Sequence, residues 1–213
     1  QGRKEEGRKQ TEFLASTDYW FRPIHARVGP DGAMYVVDFY NQIAVHNDTR
    51  GPAHGARNAA ARPDRDHKFT RLWRIQHVDA KPLPPYTLDA KNPAQLVQML
   101  QHPNGWVRTT ANRLLNETQP ATVTPTLVEL LKTSPSKYGR IQALYTLNNL
   151  GRLDDALILT ALKDSDGAVR KSAARVAAER PEVGADAVKA IQAMLSDPDG
   201  RAKINALMAL GSL

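Results

Sequence analysis

The sequence contains no cysteine, which excludes disulfides, thiolate metal sites, cysteine nucleophiles and c-type haem attachment within these 213 residues. No run approaches the roughly 18 consecutive apolar residues of a membrane-spanning helix. The GxSxG and HExxH signatures of hydrolases and the GxGxxG pattern of nucleotide-binding loops are missing as well. The composition therefore leaves few routes to a self-contained catalytic site in this chain.

Charge is the most unbalanced property of the chain. Lysine and arginine number 29 against 22 aspartates and glutamates, for a net charge of +7. Much of the excess lies near the N-terminus and in the loop of residues 41–68 together with the segment after it. Such a balance permits attraction to polyanions, but it is equally typical of a solvated surface. The 41% apolar and 24% charged contents are ordinary for a folded protein.

Residues 92–213 repeat one pattern four times. An apolar helical run leads through a short polar segment, here called a junction, into a second apolar run. Junctions 1 to 4 read HPNGWVR (102–108), SPSKYGR (134–140), DSDGAVR (164–170) and DPDGRAK (197–203). The seventh position holds a cation each time, and its four occurrences lie 32, 30 and 33 residues apart. A fixed period of about 20–50 residues is typical of a solenoid.

The apolar periodicity predicts four helix pairs. Val169, Ala173, Val176 and Ala177 form the stripe expected of a core-facing helix. Prolines fall between the helical runs, where no helix hydrogen bond is lost. Asp154 is a candidate N-cap, and the junction aspartates can satisfy free N–H groups at helix starts, namely Asp164, Asp166, Asp197 and Asp199. The predicted pairs are 93–101 with 105–116, 122–132 with 137–150, 154–163 with 167–179, and 185–195 with 200–210.

The N-terminal third has a different pattern. Two β-rich runs, 24–28 and 33–39, flank Gly29-Pro30-Asp31-Gly32, which favours a tight turn between antiparallel strands. Alternation from Phe69 onward predicts a third strand. The intervening segment 41–68 has no periodicity, and a connection of this length is usually functional or disordered. Three strands alone make a poor independent domain, so further strands are expected from outside this sequence.

A proline-rich connector separates the two patterns, since paired prolines exclude helix. The chain begins with Gln and stops within an apolar helical run, so we expect it to be a fragment of a longer polypeptide. The predicted division is a flexible lead-in (1–17), a β segment (18–79), the connector (80–92) and the helical repeats (93–213).

The junction pattern D-x-D-G-x-[VA]-[RK] resembles that of HEAT or HEAT-like repeats. In such repeats the junction aspartate and the following arginine commonly form a ladder along the stack. Junctions 1 and 2 depart from the pattern, because Asn104 and Ser136 stand where the later junctions have aspartate. The alternative is a groove of cations for nucleic-acid phosphates. The residues that the resemblance assigns to the ladder are Arg108, Arg140, Asp166, Arg170, Asp199 and Lys203.

The segments FRPIHARVGPDGAMYVVDFYNQ and RPDRDHKFTRLWRI resemble the closing part of a six-bladed propeller. That propeller belongs to membrane-bound dehydrogenase-type proteins related to quinoprotein sugar dehydrogenases. In large planctomycete and verrucomicrobial proteins of this type, HEAT-like repeats and often a cytochrome c domain follow the propeller. Phe69-Thr70 departs from the His-Gly pair of relatives. The implied fold is mostly α, an α-solenoid of four HEAT-like helix pairs preceded by the closing β piece of a propeller.

The resemblance implies oxidation of a sugar or another alcohol by a complete protein that holds pyrroloquinoline quinone and haem c. This segment would hold no cofactor of its own and would be inactive alone. Its helices would serve as a scaffold or partner surface for the rest of the polypeptide or for another protein, in the periplasm or cell envelope. Two alternatives remain, a non-catalytic HEAT-repeat module that binds proteins and a helical solenoid that binds nucleic acid.

The candidate ligand-facing residues lie at the end of the second strand and in the loop after it. Propeller loops at one end commonly bind ligands. An aspartate followed by asparagine also often caps a turn, and an arginine before proline is often a structural partner of a carbonyl or carboxylate. The histidine spacing predicts no metal site. The candidates are Arg22, His25, Asp38, Asn41, His46, Arg65 and His67.

Overall fold

The protein divides into two compact units, Gln1–Leu83 and Pro84–Leu213. No helix in the described part of the chain is both long enough and apolar enough to cross a membrane. The computed structural model describes residues 13–40, 69–83 and 85–212, and the backbone of 4–5 and 8–9.

The N-terminal unit contains two antiparallel sheets. Strand β1 (Lys4–Glu5) pairs with β2 (Arg8–Lys9). The larger sheet has the order β3-β4-β5, with both neighbouring pairs antiparallel. Its strands are β3 (Pro23–Val28), β4 (Met34–Asp38) and β5 (Arg71–Ile75).

The predicted hairpin is confirmed by the turn between β3 and β4. The Gly29 N–H donates to the Ala33 carbonyl at 2.8 Å, and the Asp31 carboxylate accepts from the Ala33 N–H at 3.1 Å. Gly32 has a φ of 81°, which a residue with a side chain rarely adopts. The third predicted strand is confirmed as β5.

The central strand of the larger sheet carries its buried residues. Val36 and Asp38 of β4 are buried, whereas all of β3 and most of β5 are exposed. Ile24 on β3 and Leu72 on β5 are among the exposed large apolar side chains. The sheet therefore covers its middle strand but leaves apolar side chains on both outer strands in contact with solvent.

Eight α-helices make up the described part of the C-terminal unit, as the periodicity predicted. Short 3-10 helices precede α3 (Ala121–Val123) and follow α7 (Met194–Ser196). The α-helices are α1 (Pro93–Met99), α2 (Gly105–Thr118), α3 (Thr124–Thr133), α4 (Lys137–Asn149), α5 (Asp155–Leu162), α6 (Gly167–Ala178), α7 (Ala185–Ala193) and α8 (Gly200–Ser212).

The helices pack in two layers. Each odd-numbered helix packs on the even-numbered helix that follows it. The even-numbered helices also pack on one another in sequence order, and so do the odd-numbered ones. Each junction therefore turns the chain from one layer to the other, and the four junctions lie at equivalent places in successive pairs.

One continuous apolar core runs through the four pairs. The predicted stripe of α6 is confirmed, since Val169, Ala173, Val176 and Ala177 are all fully buried. Small residues on the buried faces of α6 and α8 allow close packing of these two helices, and α4 contributes the larger buried side chains of Leu144 and Leu147. Burial of this kind supplies most of the stability of a helical stack.

Asp154 caps helix α5, as predicted, by accepting the Leu157 N–H at 2.8 Å. We expect Asp154→Ala to lower the free energy of unfolding by about 1 kcal/mol, because a free N–H group at the helix start loses its acceptor. Urea unfolding followed by far-ultraviolet circular dichroism measures this loss. Asp186→Ala is the control, since Asp186 lies in the first turn of α7 without a cap bond. Equal losses in both variants would contradict the capping role.

Candidate functional site

The four junctions share one local hydrogen-bonding pattern. In each junction the side chain at the first position accepts the backbone N–H of the third position. This bond tightens the turn before the second helix of the pair. The acceptors are His102 Nδ1 from Asn104 (3.1 Å), Ser134 Oγ from Ser136 (3.2 Å), Asp164 Oδ1 from Asp166 (2.8 Å) and Asp197 Oδ1 from Asp199 (2.8 Å).

The third position of each junction caps the second helix of its pair. Asp166 Oδ1 accepts the Ala168 N–H and Asp199 Oδ1 accepts the Arg201 N–H, both at 2.8 Å. The free N–H groups at a helix start lie directly beside this position, so they take up the carboxylate. The predicted capping role of Asp166 and Asp199 is confirmed, whereas their predicted place in the arginine ladder is taken by Asp164 and Asp197.

The arginine at the seventh position binds back to the start of its own junction. Its NH1 group donates to the backbone carbonyl of the first position in three junctions. The N···O distances are 2.6 Å for Arg108 to His102, 2.6 Å for Arg140 to Ser134 and 2.7 Å for Arg170 to Asp164. These bonds hold the guanidinium in the same place in each pair.

The other edge of the guanidinium reaches the next junction. Arg140 binds both carboxylate oxygens of Asp164, at 2.7 and 3.0 Å. Arg170 binds both oxygens of Asp197, each at 2.6 Å. Only 14% of the Arg170 side chain and 5% of the Asp197 side chain are exposed. These bidentate pairs are strong and specific in geometry, and each joins one helix pair to the next.

The ion pair between Arg170 and Asp197 changes the pKa values of both groups. Hydrogen bonds from Arg170 lower the pKa of Asp197 below its ordinary value, although burial acts in the opposite direction. The same bonds raise the pKa of Arg170. Both groups are therefore charged at neutral pH.

The seventh position differs in the first and last junctions. Lys203 is exposed, and it forms no ion pair within the described residues. Arg108 lies 4.4 Å above the centre of the Tyr138 ring and likewise has no carboxylate partner in the described part of the chain. The predicted ladder thus contains two ion pairs, Arg140 with Asp164 and Arg170 with Asp197.

A second set of arginines joins the helix pairs at the opposite ends of the helices. Arg152 NH1 donates to the Pro120 carbonyl at 2.7 Å, and Arg180 NH1 donates to the Leu153 carbonyl at 2.6 Å. Both side chains reach back to the loop before the preceding helix pair. Neither arginine is among the residues predicted from the sequence, although an arginine follows closely after the second helix of two successive pairs.

Asp38 lies at the end of β4 with 0% of its surface exposed. Its Oδ1 accepts the backbone N–H groups of Arg22 (2.8 Å) and Tyr40 (3.0 Å). Its Oδ2 accepts the Trp73 indole N–H at 3.0 Å. One carboxylate therefore ties together the start of β3, the end of β4 and the middle of β5.

The surroundings of Asp38 keep it ionised. Burial raises the pKa of its carboxyl, but the N–H donors of Arg22, Trp73 and Tyr40 and the positive charge of Arg71 outweigh burial. The net effect is a pKa below the ordinary value. A buried carboxylate with this many donors is a structural acceptor rather than a poised general base.

Arg22 and His25 do not form a common site with the Asp38 carboxylate. The Arg22 guanidinium donates to the carbonyls of Tyr19 (2.7 Å) and Phe21 (3.1 Å). His25 is exposed on β3, where its Nε2 accepts from Arg27 at 2.9 Å. Only the backbone N–H of Arg22 meets Asp38. The remaining candidates, Asn41, His46, Arg65 and His67, lie outside the described residues.

Aromatic and cationic side chains cluster around the same end of the sheet. The Arg71 guanidinium lies 3.4 Å above the Tyr40 ring, and the rings of Trp20 and Tyr40 are 5.5 Å apart. Arg71 also lies 3.7 Å from the Asp18 carboxylate. Tyr40 itself has a φ of 41°, in the left-handed region. The part of the chain that the structure describes holds no group of three ligating side chains suited to a metal ion.

Acid is expected to weaken the junction ion pair between Arg170 and Asp197. The pKa of Asp197 is lower in the folded than in the unfolded chain, so the unfolded chain takes up its proton first. The stabilisation is complete above the unfolded value of about 3.9 and is lost as the pH falls toward the folded value. Asp197→Asn should show a flatter dependence of the urea midpoint on pH between about 5 and 2. Asp79→Asn, an exposed change, should keep the original slope.

The described residues define a mostly helical protein with a small antiparallel sheet near its N-terminus. Residues 1–79 match a family described as a domain of unknown function, DUF7133. The match contains strands β1 to β5 and ends before α1. A comparison with curated proteins gave no match.

Proposed function

We propose that the helical unit is a HEAT-like repeat stack that serves as a scaffold and partner surface. The observation that carries the proposal is the repeated junction geometry. Arg140 and Arg170 each donate from NH1 to a backbone carbonyl of their own junction. From Nε each also donates to the aspartate carboxylate of the next junction. Arg152 and Arg180 add contacts between pairs at the other helix ends.

Such connections suit a binding scaffold because they hold successive pairs in one relative orientation. In repeat proteins each unit is stabilised mainly by its neighbours, and the stacked units present an extended surface. A surface held in place before binding loses less conformational entropy when a partner docks.

Cross-linking of the complete protein in its native cells tests this proposal. Lys132, Lys163 and Lys189 are exposed on the helical unit and provide the reactive amines. We expect these lysines to cross-link to a second polypeptide or to a distant domain of the same one. Cross-links confined to neighbouring helices would contradict a role as a partner surface.

We propose further that strands β3 to β5 close a propeller of the quinoprotein sugar dehydrogenase type in the complete protein. Two features support this assignment. The FRP, GPDG and RLWRI elements resemble those of that propeller, and the outer strands carry exposed apolar side chains such as Ile24 and Leu72 that further strands would cover. The complete protein would then oxidise a sugar or another alcohol with pyrroloquinoline quinone and pass electrons to haem c, in the periplasm or cell envelope.

Titration with pyrroloquinoline quinone and a panel of sugars, with a dye as electron acceptor, tests the dehydrogenase assignment. The complete protein should bind the quinone and reduce the dye, whereas residues 1–213 alone should show no turnover. Failure of the complete protein to bind the quinone would leave a binding module without catalysis. Turnover by residues 1–213 alone would contradict the proposal that this chain lacks a complete site.

The ion pairs argue against the third possibility, a solenoid that binds nucleic acid. Arg140 and Arg170 are neutralised by Asp164 and Asp197 and are largely buried, so they offer little charge to phosphates. We expect no binding of the chain to duplex DNA at about 150 mM salt, measured by fluorescence anisotropy. Salt-dependent binding under these conditions would favour the nucleic-acid function instead.

A further inference from the structure

The guanidinium of Arg108 in junction 1 repeats half of the arrangement found in junctions 2 and 3. Its NH1 donates to the carbonyls of His102 (2.6 Å) and Pro103 (2.7 Å). Arg170 makes the same two bonds in junction 3, to Asp164 and Ser165. The NH1 groups of Arg108 and Arg170 therefore make equivalent bonds to their own junctions.

The opposite edge of the Arg108 guanidinium differs. In Arg140 and Arg170 the Nε and NH2 groups hold both oxygens of an aspartate from the next junction. The equivalent position after junction 1 is Ser134, which has no carboxylate. No carboxylate in residues 13–40, 69–83 or 85–212 forms an ion pair with Arg108. A two-donor fork that binds aspartate elsewhere in the stack therefore pairs with no acid among the described residues.

The surroundings orient Arg108 and favour an incoming negative charge. The guanidinium carbon lies 4.4 Å from the centre of the Tyr138 ring, within the range of a cation–π contact that helps to hold it in place. Burial lowers the pKa of Arg108, a sign that its charge is partly desolvated without compensation by an acid. A desolvated cation gains more from a bound carboxylate than a fully hydrated one does.

The site also has exposed apolar surface beside the cation. Tyr138 is 51% exposed, and Trp106 is exposed at the same position of the preceding junction. Lys137 lies 5.7 Å from the centre of the Tyr138 ring, but it is paired with Asp166, so Arg108 is the cation that remains to bind an acid. Aromatic rings next to a guanidinium are typical of interface residues that contribute strongly to binding.

We propose that Arg108 and Tyr138 form a docking site for an aspartate or glutamate side chain of a partner protein. The proposal rests on the partner-surface function and names the chemistry that this surface recognises. A carboxylate fits better than a phosphate for two reasons. The same fork already binds aspartates in junctions 2 and 3, and the neighbouring Lys137 is 3.6 Å from Asp166, which leaves it less charge to balance a dianion.

The test is a titration of the full chain, labelled with nitrogen-15, monitored by the arginine Nε–H signals in nuclear magnetic resonance spectra. The probe is an acetylated, amidated peptide of the composition Gly-Gly-Asp-Phe-Gly, compared with its Asn and phosphoserine forms. We expect the Asp peptide to shift the Arg108 signal and to leave those of Arg140 and Arg170 unchanged. The Asn peptide should bind at least about tenfold more weakly, since it lacks the charge.

Three variants make the test specific to Arg108. Arg108→Lys should weaken binding of the Asp peptide about tenfold, because an ammonium group cannot form the two-donor fork. Arg113→Lys, an exposed change on the same helix, should leave binding unchanged. Ser134→Asp should place a carboxylate at the equivalent position of the ladder and so abolish peptide binding.

Each remaining outcome overturns the assignment. Equal shifts at all three arginines, or no shift at any of them, would show that Arg108 is not a specific carboxylate site. Tighter binding of the phosphoserine peptide would identify a phosphopeptide site instead. If peptide binding fails while the exposed lysines of the stack still cross-link to a second polypeptide, only the role of Arg108 is wrong and the partner-surface function stands.

Discussion

Asp38→Ala is expected to lower the free energy of unfolding of the N-terminal sheet by about 2–4 kcal/mol. The carboxylate is fully buried and accepts N–H groups from Arg22, Tyr40 and Trp73. Removing it leaves three donors without the acceptor that they share, and each buried donor without an acceptor is costly. Amide hydrogen exchange of strands β3 and β4 measures the loss locally, independently of the helical unit.

Two further variants separate the role of the Asp38 charge from that of its shape. Asp38→Asn keeps one oxygen for the Arg22 and Tyr40 N–H groups but turns an NH2 donor toward the Trp73 indole N–H. We therefore expect it to lower the free energy of unfolding of the sheet, but by less than Asp38→Ala does. Asp79→Ala removes an exposed carboxylate of the same unit and should leave exchange unchanged. If Asp38→Ala exchanges at the wild-type rate, the carboxylate does not hold the sheet together.

Asp197→Ala is expected to destabilise the helical unit by about 2–4 kcal/mol. The change leaves the Nε and NH2 groups of the largely buried Arg170 without an acceptor and also removes the bond to the Asp199 N–H. An unpaired buried charge costs more than the net contribution of the intact pair. Urea unfolding followed by far-ultraviolet circular dichroism reads this change, because the helices dominate the signal.

A double variant shows whether the pair contributes stability or only orientation. Arg170→Met combined with Asp197→Leu should recover most of the loss, since apolar residues of similar size often replace a buried ion pair at little cost. Glu117→Ala breaks an exposed pair with Arg113 and should change the unfolding free energy by less than about 0.5 kcal/mol. A loss of that size in Asp197→Ala would contradict a structural role for the junction pair.

The sequence predicts most of the secondary structure because local signals are strong where the elements begin and end. Gly29 to Gly32 specify the hairpin turn through their backbone preferences. Apolar residues at helical spacing predict all eight helices to within a few residues, and the polar junctions mark where each pair turns. These signals depend on residues close together in the chain, so they are visible without a fold.

The sequence does not predict in the same way which aspartate each junction arginine binds. Each junction with two aspartates offers two carboxylates two residues apart, and sequence alone does not say which one faces the preceding arginine. In the fold the third-position carboxylate is taken up by the N–H groups of its own helix. Asp164 and Asp197 therefore face Arg140 and Arg170, whereas the resemblance to HEAT-like junctions places Asp166 and Asp199 in the ladder.

The repeat of residues 92–213 was determined by the sequence itself, through the period of its junctions and the apolar face of each helix. Tertiary structure alone decided which charges meet, because the partners in each pair lie 24 and 27 positions apart and are brought together only by stacking. It likewise decided that Asp38 is an internal acceptor of the sheet, since its donors come from three strand regions. The tertiary structure also decided that the Arg108 guanidinium has no carboxylate partner among the described residues. The reason is that junction 2 has Ser134 at its first position, where junctions 3 and 4 have aspartate.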